Sequence, residues 1–317
     1  MIDAVVMSSF DLKNKKVTVL GAARSGVAAA HLALRLGATA KLSEFKKKSD
    51  VGDDIEHLNA KVICEFGGHT QAFIEDSDYV ILSPGIRQDC SAALWAIQNH
   101  IPVLGEIELA YRFCPAPVIA VTGSNGKTTV STLIAECLKK AGRKVFLCGN
   151  IGLPFSKVVE QVTPDSYVVL EVSSFQLEST EQFRPYVGVL LNFSENHLDR
   201  HKDLEEYFQA KSKIFANQKA GDFAVLNYQD QRIRKLAEKL TAQVAFFNTP
   251  EKVVLSSNPN ELAVMEAVRL LGVSPETCHE VFGSFKGVEH RMEWVRTLDG
   301  VDYINDSKST TAEATRW

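Results

Sequence analysis

Residues 118–129 read VIAVTGSNGKTT, an apolar run that breaks into a glycine turn and then into a lysine and two threonines. An amphipathic stretch from Lys127 to Ala141 follows directly. A buried strand turning through glycines onto a helix N-terminus is an arrangement that holds polyphosphate, because backbone N–H groups converge on the anion and the helix dipole adds to them. The loop residues are Gly123, Ser124, Asn125, Gly126, Lys127, Thr128 and Thr129. In such a loop Lys127 reaches the terminal phosphates and the Thr128 hydroxyl binds Mg²⁺. Only two residues separate the glycines, fewer than in the general G-x-x-x-x-G-K-[ST] pattern. A glycine-rich turn that merely carries a lysine is the plainer reading, disfavoured by the strand before it and the helix after it.

Outward from this loop, short β-branched runs alternate with helical patterns, which predicts parallel α/β architecture. Upstream lie the strands KKVTVLG, ATAKLSE and YVILSPG, a helix from Ser25 to Gly37 and the helical stretch GEIELAYRF. Pro115 and Pro117 then mark a junction. Downstream come the strands KVFLCG, YVVLEVS, VGVLLNF, DFAVLN and VAFFN, with helical LEEYFQAKSKIFANQ and QRIRKLAEKL between them. Two further helices are expected around Glu261–Leu271 and Pro275–Phe282, before EWVRTL and VDYIND flank a turn at Asp299-Gly300. The expected organisation is a Rossmann-like N-terminal domain over residues 1–108 and a central P-loop ATPase-type domain with a parallel sheet over 109–296. Residues 297–317 would begin a third α/β domain, too short here to bury a core of its own.

A chain of 317 residues with 45% hydrophobic and 23% charged residues can bury such cores without a disulfide or metal staple. Its net charge of -4 argues against a broad grip on nucleic acid, and Lys46, Lys47 and Lys48 read as a solvated loop. The six cysteines are scattered with no C-x-x-C pair, a pattern of reduced thiols. No signal peptide and no apolar span of about 18 residues is apparent, so a cytoplasmic protein without membrane association is expected.

Other candidates are individually weaker. Gly21-Ala22-Ala23-Arg24-Ser25-Gly26 follows the first strand, but Ala23 replaces the middle glycine of a dinucleotide turn; Glu44 stands where a ribose-binding acid would fall. A nucleotide-diphosphate site and a structural tight turn both fit. A nicotinamide-dependent oxidoreductase would use this turn yet leaves GSNGKTT unexplained. Glu171 ends the strand YVVLE, well placed for Mg²⁺ beside phosphates, although an acid at a helix N-terminus is the more ordinary reading. Alone, His197 reads as a surface cap and Lys211 as a solvated lysine. They matter only together.

Taken in order, GSNGKTT, GNIG (149–152), EVSSFQLE (171–178), NFSENHLDRH, the lysine of YFQAK, His290-Arg291 and NDSKST (305–310) resemble the Mur ligases. SSFQLE and NDSKST resemble the D-glutamate-adding member, and the resemblance runs nearly the whole chain. It implies a three-domain, monomeric, ATP-dependent amide ligase of peptidoglycan synthesis, with UDP-N-acetylmuramoyl-L-alanine, D-glutamate and ATP as its partners. On that resemblance Gly21, Arg24, Ser25, Gly26, Glu44, Ser83, Pro84 and Gly85 serve the UDP moiety, with Asn150 and Ser173 near the muramoyl group. Lys127 and Thr128 serve the phosphates and a first Mg²⁺, with Glu171 on that metal. His197 and a carbamylated Lys211 hold a second Mg²⁺. Asn260, Arg291 and Asp306 lie by the nucleotide, and Lys308 nearby at the phosphoryl end.

Two departures stand out. Ser256-Ser257 occupy the place of the family's His-Asn pair, leaving Asn260 as the surviving asparagine, and 248–256 is short, as if a β-hairpin were missing. The chain also reaches only Trp317, so the expectation is that it binds UDP-linked substrate or ATP yet ligates poorly or not at all. A non-catalytic nucleotide-binding module is therefore one rival reading. Another is a sister Mur ligase or folylpolyglutamate synthase, which would share the ATP chemistry.

Overall fold

The computed structural model describes residues 10–195 and 200–309. Its N-terminal unit alternates β1 (Lys16–Leu20), α1 (Arg24–Arg35), β2 (Thr39–Glu44), β3 (Ile63–Phe66), α2 (Gln71–Ile74), β4 (Tyr79–Leu82), α3 (Ser91–Gln98) and β5 (Val103–Gly105). The strands form one parallel sheet in the order β3-β2-β1-β4-β5. Chain direction across the sheet reverses between β1 and β4, and a crevice opens at such a switch point. Gly21 and Ser83 directly follow those two strands.

The helix α4 (Glu106–Tyr111) leads to the central unit, which runs β6 (Val118–Thr122), α5 (Lys127–Lys140), β7 (Lys144–Gly149), α6 (Phe155–Val158), β8 (Ser166–Glu171), α7 (Ser174–Glu178) and β9 (Val187–Leu190). It continues through α8 (Leu204–Ser212), β10 (Phe223–Asn227), α9 (Gln231–Leu236), β11 (Gln243–Phe247), α10 (Pro259–Arg269) and α11 (Pro275–Ser284). These six strands are parallel too, in the order β11-β10-β9-β6-β8-β7. Every residue of β6 and of β9 is buried, as near-continuous apolar runs covered on both faces should be. β6 lies between β8 and β9, so the turn after it emerges at the second switch point. An antiparallel hairpin of β12 (Glu293–Leu298) and β13 (Val301–Asn305) closes the described chain.

The two sheets are joined through packed interior. One cluster of buried side chains runs from Val17 and Leu42 through Leu109 to Leu170 and Phe215. Within that junction α4 carries two buried acids. Glu106 accepts from the Ser156 amide at 2.7 Å, and burial pushes its carboxyl above the usual carboxylate range. Glu108, fully enclosed, accepts from the amides of Glu181, Gln182 and Phe183 at 2.9–3.1 Å and from Arg112 Nε at 2.8 Å. One carboxylate thereby satisfies three consecutive donors of the chain beyond α7. Replacing it strands all three amides and leaves the Arg112 guanidinium with Glu181 as its remaining carboxylate partner, and buried groups left without partners are costly. Glu108→Ala should therefore lower unfolding stability by about 3 kcal/mol, read as a lower denaturant midpoint at unchanged slope.

Candidate active site

The phosphate loop is built by neighbours distant in sequence. Gly126 is the N-cap of α5 with φ of +82°, and a Cβ there would lie 2.6 Å from Asn260 Oδ1. Only glycine meets both conditions. Asn192, just past β9, holds the loop from the side: its Oδ1 accepts from the Asn125 amide at 2.8 Å and its Nδ2 donates to the Asn125 carbonyl at 3.0 Å. Ser124 Oγ accepts from the Ser194 amide at 3.0 Å, and the Ser124 amide donates to the Asn192 carbonyl at 3.1 Å. Lys127 folds back, its Nζ donating to the carbonyls of Gly123 and Ser124 at 2.9 and 3.0 Å. Burial lowers its pKa and Arg291 lowers it further, against the opposing pull of Glu171.

Beside the loop opens a cavity of about 180 Å³ lined by Asn125, Gly126, Thr128, Thr129, Asn260, Arg291, Met292 and Asp306. Apart from Met292, these are residues that the sequence singles out for the nucleotide. Asp306 Oδ1 accepts from the Met292 amide at 3.2 Å, while Oδ2 is buried with no hydrogen-bond partner. Lys308 is not among the lining residues; its Nζ donates to the Glu289 carbonyl at 3.4 Å. The departure at Ser256 has a local explanation. Its hydroxyl donates to Glu261 at 2.6 Å and accepts from the Asn258 amide at 3.0 Å, helping start the helix that presents Asn260. Residues 248–257 contain no strand.

Behind the loop sit the metal candidates. Glu171 Oε1 accepts from Asn150 Nδ2 at 2.7 Å, whereas Oε2 is buried without a hydrogen-bond partner. Lys211, on α8, is 1% exposed, and its Nζ donates to the Gly123 carbonyl at 2.9 Å and lies 4.5 Å from the centre of the Tyr207 ring. Burial holds its pKa well below the ordinary lysine value, with the nearby Lys127 adding to the effect. The orphaned Glu171 oxygen fits the demands of a cation site, whereas an unmodified Lys211 amine would repel the ion. No cluster of three His, Cys, Asp or Glu suited to a metal occurs among the described residues, and His197 lies outside them. Ser173 caps α7 in a capping box with Gln176.

In the N-terminal unit, Gly21, Gly26 and Ser83 come together at the switch point. Gly21 has φ of +94°, and a Cβ on Gly26 would stand 1.9 Å from the Gly21 carbonyl oxygen. The third glycine of the turn thus serves close strand–helix packing. Glu44 turns inward: Oε2 accepts from the Ala22 amide at 2.7 Å and Oε1 from the Lys46 amide at 3.0 Å. Arg24 and Gly85 are exposed, and Ser25 and Pro84 are half-buried. Sequence reasoning misses Asn192 and Tyr207, which hold the phosphate loop. The available signal is a lone asparagine ending the apolar run VGVLLN.

The Mur ligase middle domain matches residues 121–281, and the Mur ligase MurD-like N-terminal domain matches residues 15–105. A UDP-N-acetylmuramoylalanine–D-glutamate ligase of Pelotomaculum thermopropionicum is 39% identical, over 96% of this chain and 74% of its own. One of Koribacter versatilis, of the same name, is 36% identical over the same shares. The crystal structure of a UDP-N-acetylmuramate:L-alanyl-gamma-D-glutamyl-meso-diaminopimelate ligase from Neisseria meningitides superposes with a TM-score of 0.61 at 20% identity, covering 87% of this chain and 99% of that one. No described helix is long and apolar enough to cross a membrane.

Asn192→Ala removes both side-chain bonds to Asn125 and leaves the phosphate-loop sequence intact. The expected outcome is a Kd for ATP raised about tenfold, about 1.4 kcal/mol, by calorimetry.

Proposed function

The chain belongs to the Mur ligase family, and we propose that it joins D-glutamate to UDP-N-acetylmuramoyl-L-alanine at the expense of ATP, in peptidoglycan synthesis. One observation carries the reading. The phosphate loop opens on a cavity lined by Thr128, Asn260, Arg291 and Asp306, while a carboxylate oxygen of Glu171 stays buried without a hydrogen-bond partner and the Lys211 amine rests on the loop's Gly123 carbonyl. The relatives at 39% and 36% identity bear the name of that ligase and supply the choice among acceptors.

A carboxylate is a poor electrophile, so amide formation in water needs prior activation. The L-alanyl carboxylate oxygen attacks the γ-phosphorus of ATP, the bond to the β-phosphate oxygen breaks, and an acyl phosphate and ADP result. The D-glutamate amine then attacks the acyl carbon, loses a proton, and the tetrahedral intermediate expels phosphate. The protein contributes position and neutralisation of crowded charge. Loop amides cradle the phosphates, and Lys127, now folded over its own loop, turns its ammonium to the transferring group. Thr128 and Glu171 would hold one Mg²⁺, and His197 with Lys211 a second. Bound there, Mg²⁺ draws negative charge off the transferring phosphoryl oxygens.

Lys211 suits a role as carbamate. A bare ammonium beside a cation would be repelled, and a buried neutral amine is the species that takes up CO₂. The modification turns a cation into an anion able to share a metal. On the substrate side, the crevice at Gly21, Gly26 and Ser83 would take the UDP moiety, with Glu44, Arg24, Ser25, Pro84 and Gly85 around it. Asn150 and Ser173 would face the muramoyl group, and Lys308 the phosphoryl end.

With UDP-N-acetylmuramoyl-L-alanine and ATP, ADP release by the protein should require D-glutamate, other amino acids giving about a hundredfold less. Equal response to another amino acid would move the assignment to a sister ligase. Lys211→Ala should abolish ADP release and regain part of it when acetate or formate is supplied. No recovery would remove support for the carbamate.

A further inference from the structure

Arg200 stands where the N-terminal unit meets the central one. Its Nη2 donates to Glu178 Oε2 at 2.9 Å on α7 and to the Ile86 carbonyl at 3.4 Å, on the loop that carries Ser83, Pro84 and Gly85. The guanidinium lies 4.5 Å over the Phe175 ring, and its side chain is only 11% exposed. In return Arg87 Nη1 donates to the Arg200 carbonyl at 2.9 Å, while Asp89 holds the Arg87 guanidinium at 2.7 and 2.8 Å. Two arginines thus exchange contacts with each other's loops across the boundary between units.

The next residue continues inward. His201 is 2% exposed, with Nε2 at 3.0 Å from Ser174 Oγ and Nδ1 at 3.5 Å from Glu178 Oε1. Its ring centre is 5.0 Å from that of Tyr207. Tyr207 places its hydroxyl 3.3 Å from Ser124 Oγ in the phosphate loop and carries Lys211 Nζ over its ring. Unbroken packing therefore links the 83–86 loop of one sheet to the phosphate loop of the other, reaching the phosphate-binding machinery only at Tyr207, which meets Ser124 and Lys211.

We infer that Arg200 is a positioning residue that couples the two cradles. Seating a UDP-linked ligand on the 83–85 loop fixes Ile86 and Arg87; these fix Arg200, and His201 and Tyr207 carry the constraint to Ser124. Arginine suits the task because one planar guanidinium spans a carboxylate and a carbonyl at once, which a lysine ammonium cannot match. The inference rests on the ligase reading for the identity of the two ligands.

The test is calorimetric. The affinity for a non-hydrolysable ATP analogue with Mg²⁺ is measured without and with saturating UDP-N-acetylmuramoyl-L-alanine. In the wild type the second ligand should tighten the first about tenfold, within the range of coupling between distinct sites. Arg200→Gln and Arg200→Lys should bring that ratio close to one while each ligand still binds alone. Where the Arg200 variants fail to fold, Arg87→Ala decides, since its side chain is 48% exposed and its loss spares the core; the ratio should drop to about threefold. A wild-type ratio of one, or an unchanged ratio in a folded variant, overturns the inference. Failure of the wild type to bind the UDP-linked ligand at all overturns the ligase reading and the coupling with it.

Discussion

Two lysine amines meet on one carbonyl oxygen, and much of the central unit follows from that meeting. Lys127 and Lys211 both donate to Gly123 at 2.9 Å, in a site where burial lowers both pKa values, and neither forms a salt bridge among the described residues. Like charges this close and this dry disfavour each other. The arrangement is relieved by an anion, by loss of a proton, or by conversion of one amine into an acid. A triphosphate would supply the first, and the proposed carbamylation the third. The parallel sheet brings the tension about: β6 delivers Gly123, and the crossover from β9 to β10 delivers Lys211 on α8.

The central sheet was legible strand by strand, because its six strands are apolar runs separated by helices, buried at the centre and half-buried in the edge strands β7 and β11. The N-terminal sheet was legible only in part. β3 has two exposed and two half-buried residues and β5 is three residues long, so neither shows the apolar run that marks a strand. The loop and its cavity residues were legible because motif spacing preserves them. What was not legible is what holds them. Asn192 reaches Asn125 across 67 residues and Tyr207 reaches Ser124 across 83. No local pattern encodes a partner so remote. Ring contacts such as that of His201 with Tyr207 depend on the same long-range placement.

The departure at Ser256-Ser257 teaches a similar lesson from the other side. The pair expected there is missing, yet Asn260 still lines the cavity, because a different set of local bonds starts α10 at Asn258. A side chain can reach the cavity from a turn built on other bonds. Lys308 illustrates the converse, a residue picked out by its motif whose amine, in this structure, is engaged by the Glu289 carbonyl outside the cavity.

The order of strands in the central sheet has a consequence for a chain emerging from a ribosome. β6 is flanked by β8 and β9 rather than by its successor, so the loop it ends in gains its side support only after residues 187–192 have been made. Until then the apolar strand VIAVT lacks one of its lateral neighbours and is exposed to misassociation, as non-local parallel pairings are while synthesis proceeds. The nascent chain must first shelter β6 by other means, and the N-terminal sheet, complete by Gly105, is the surface already folded at that moment.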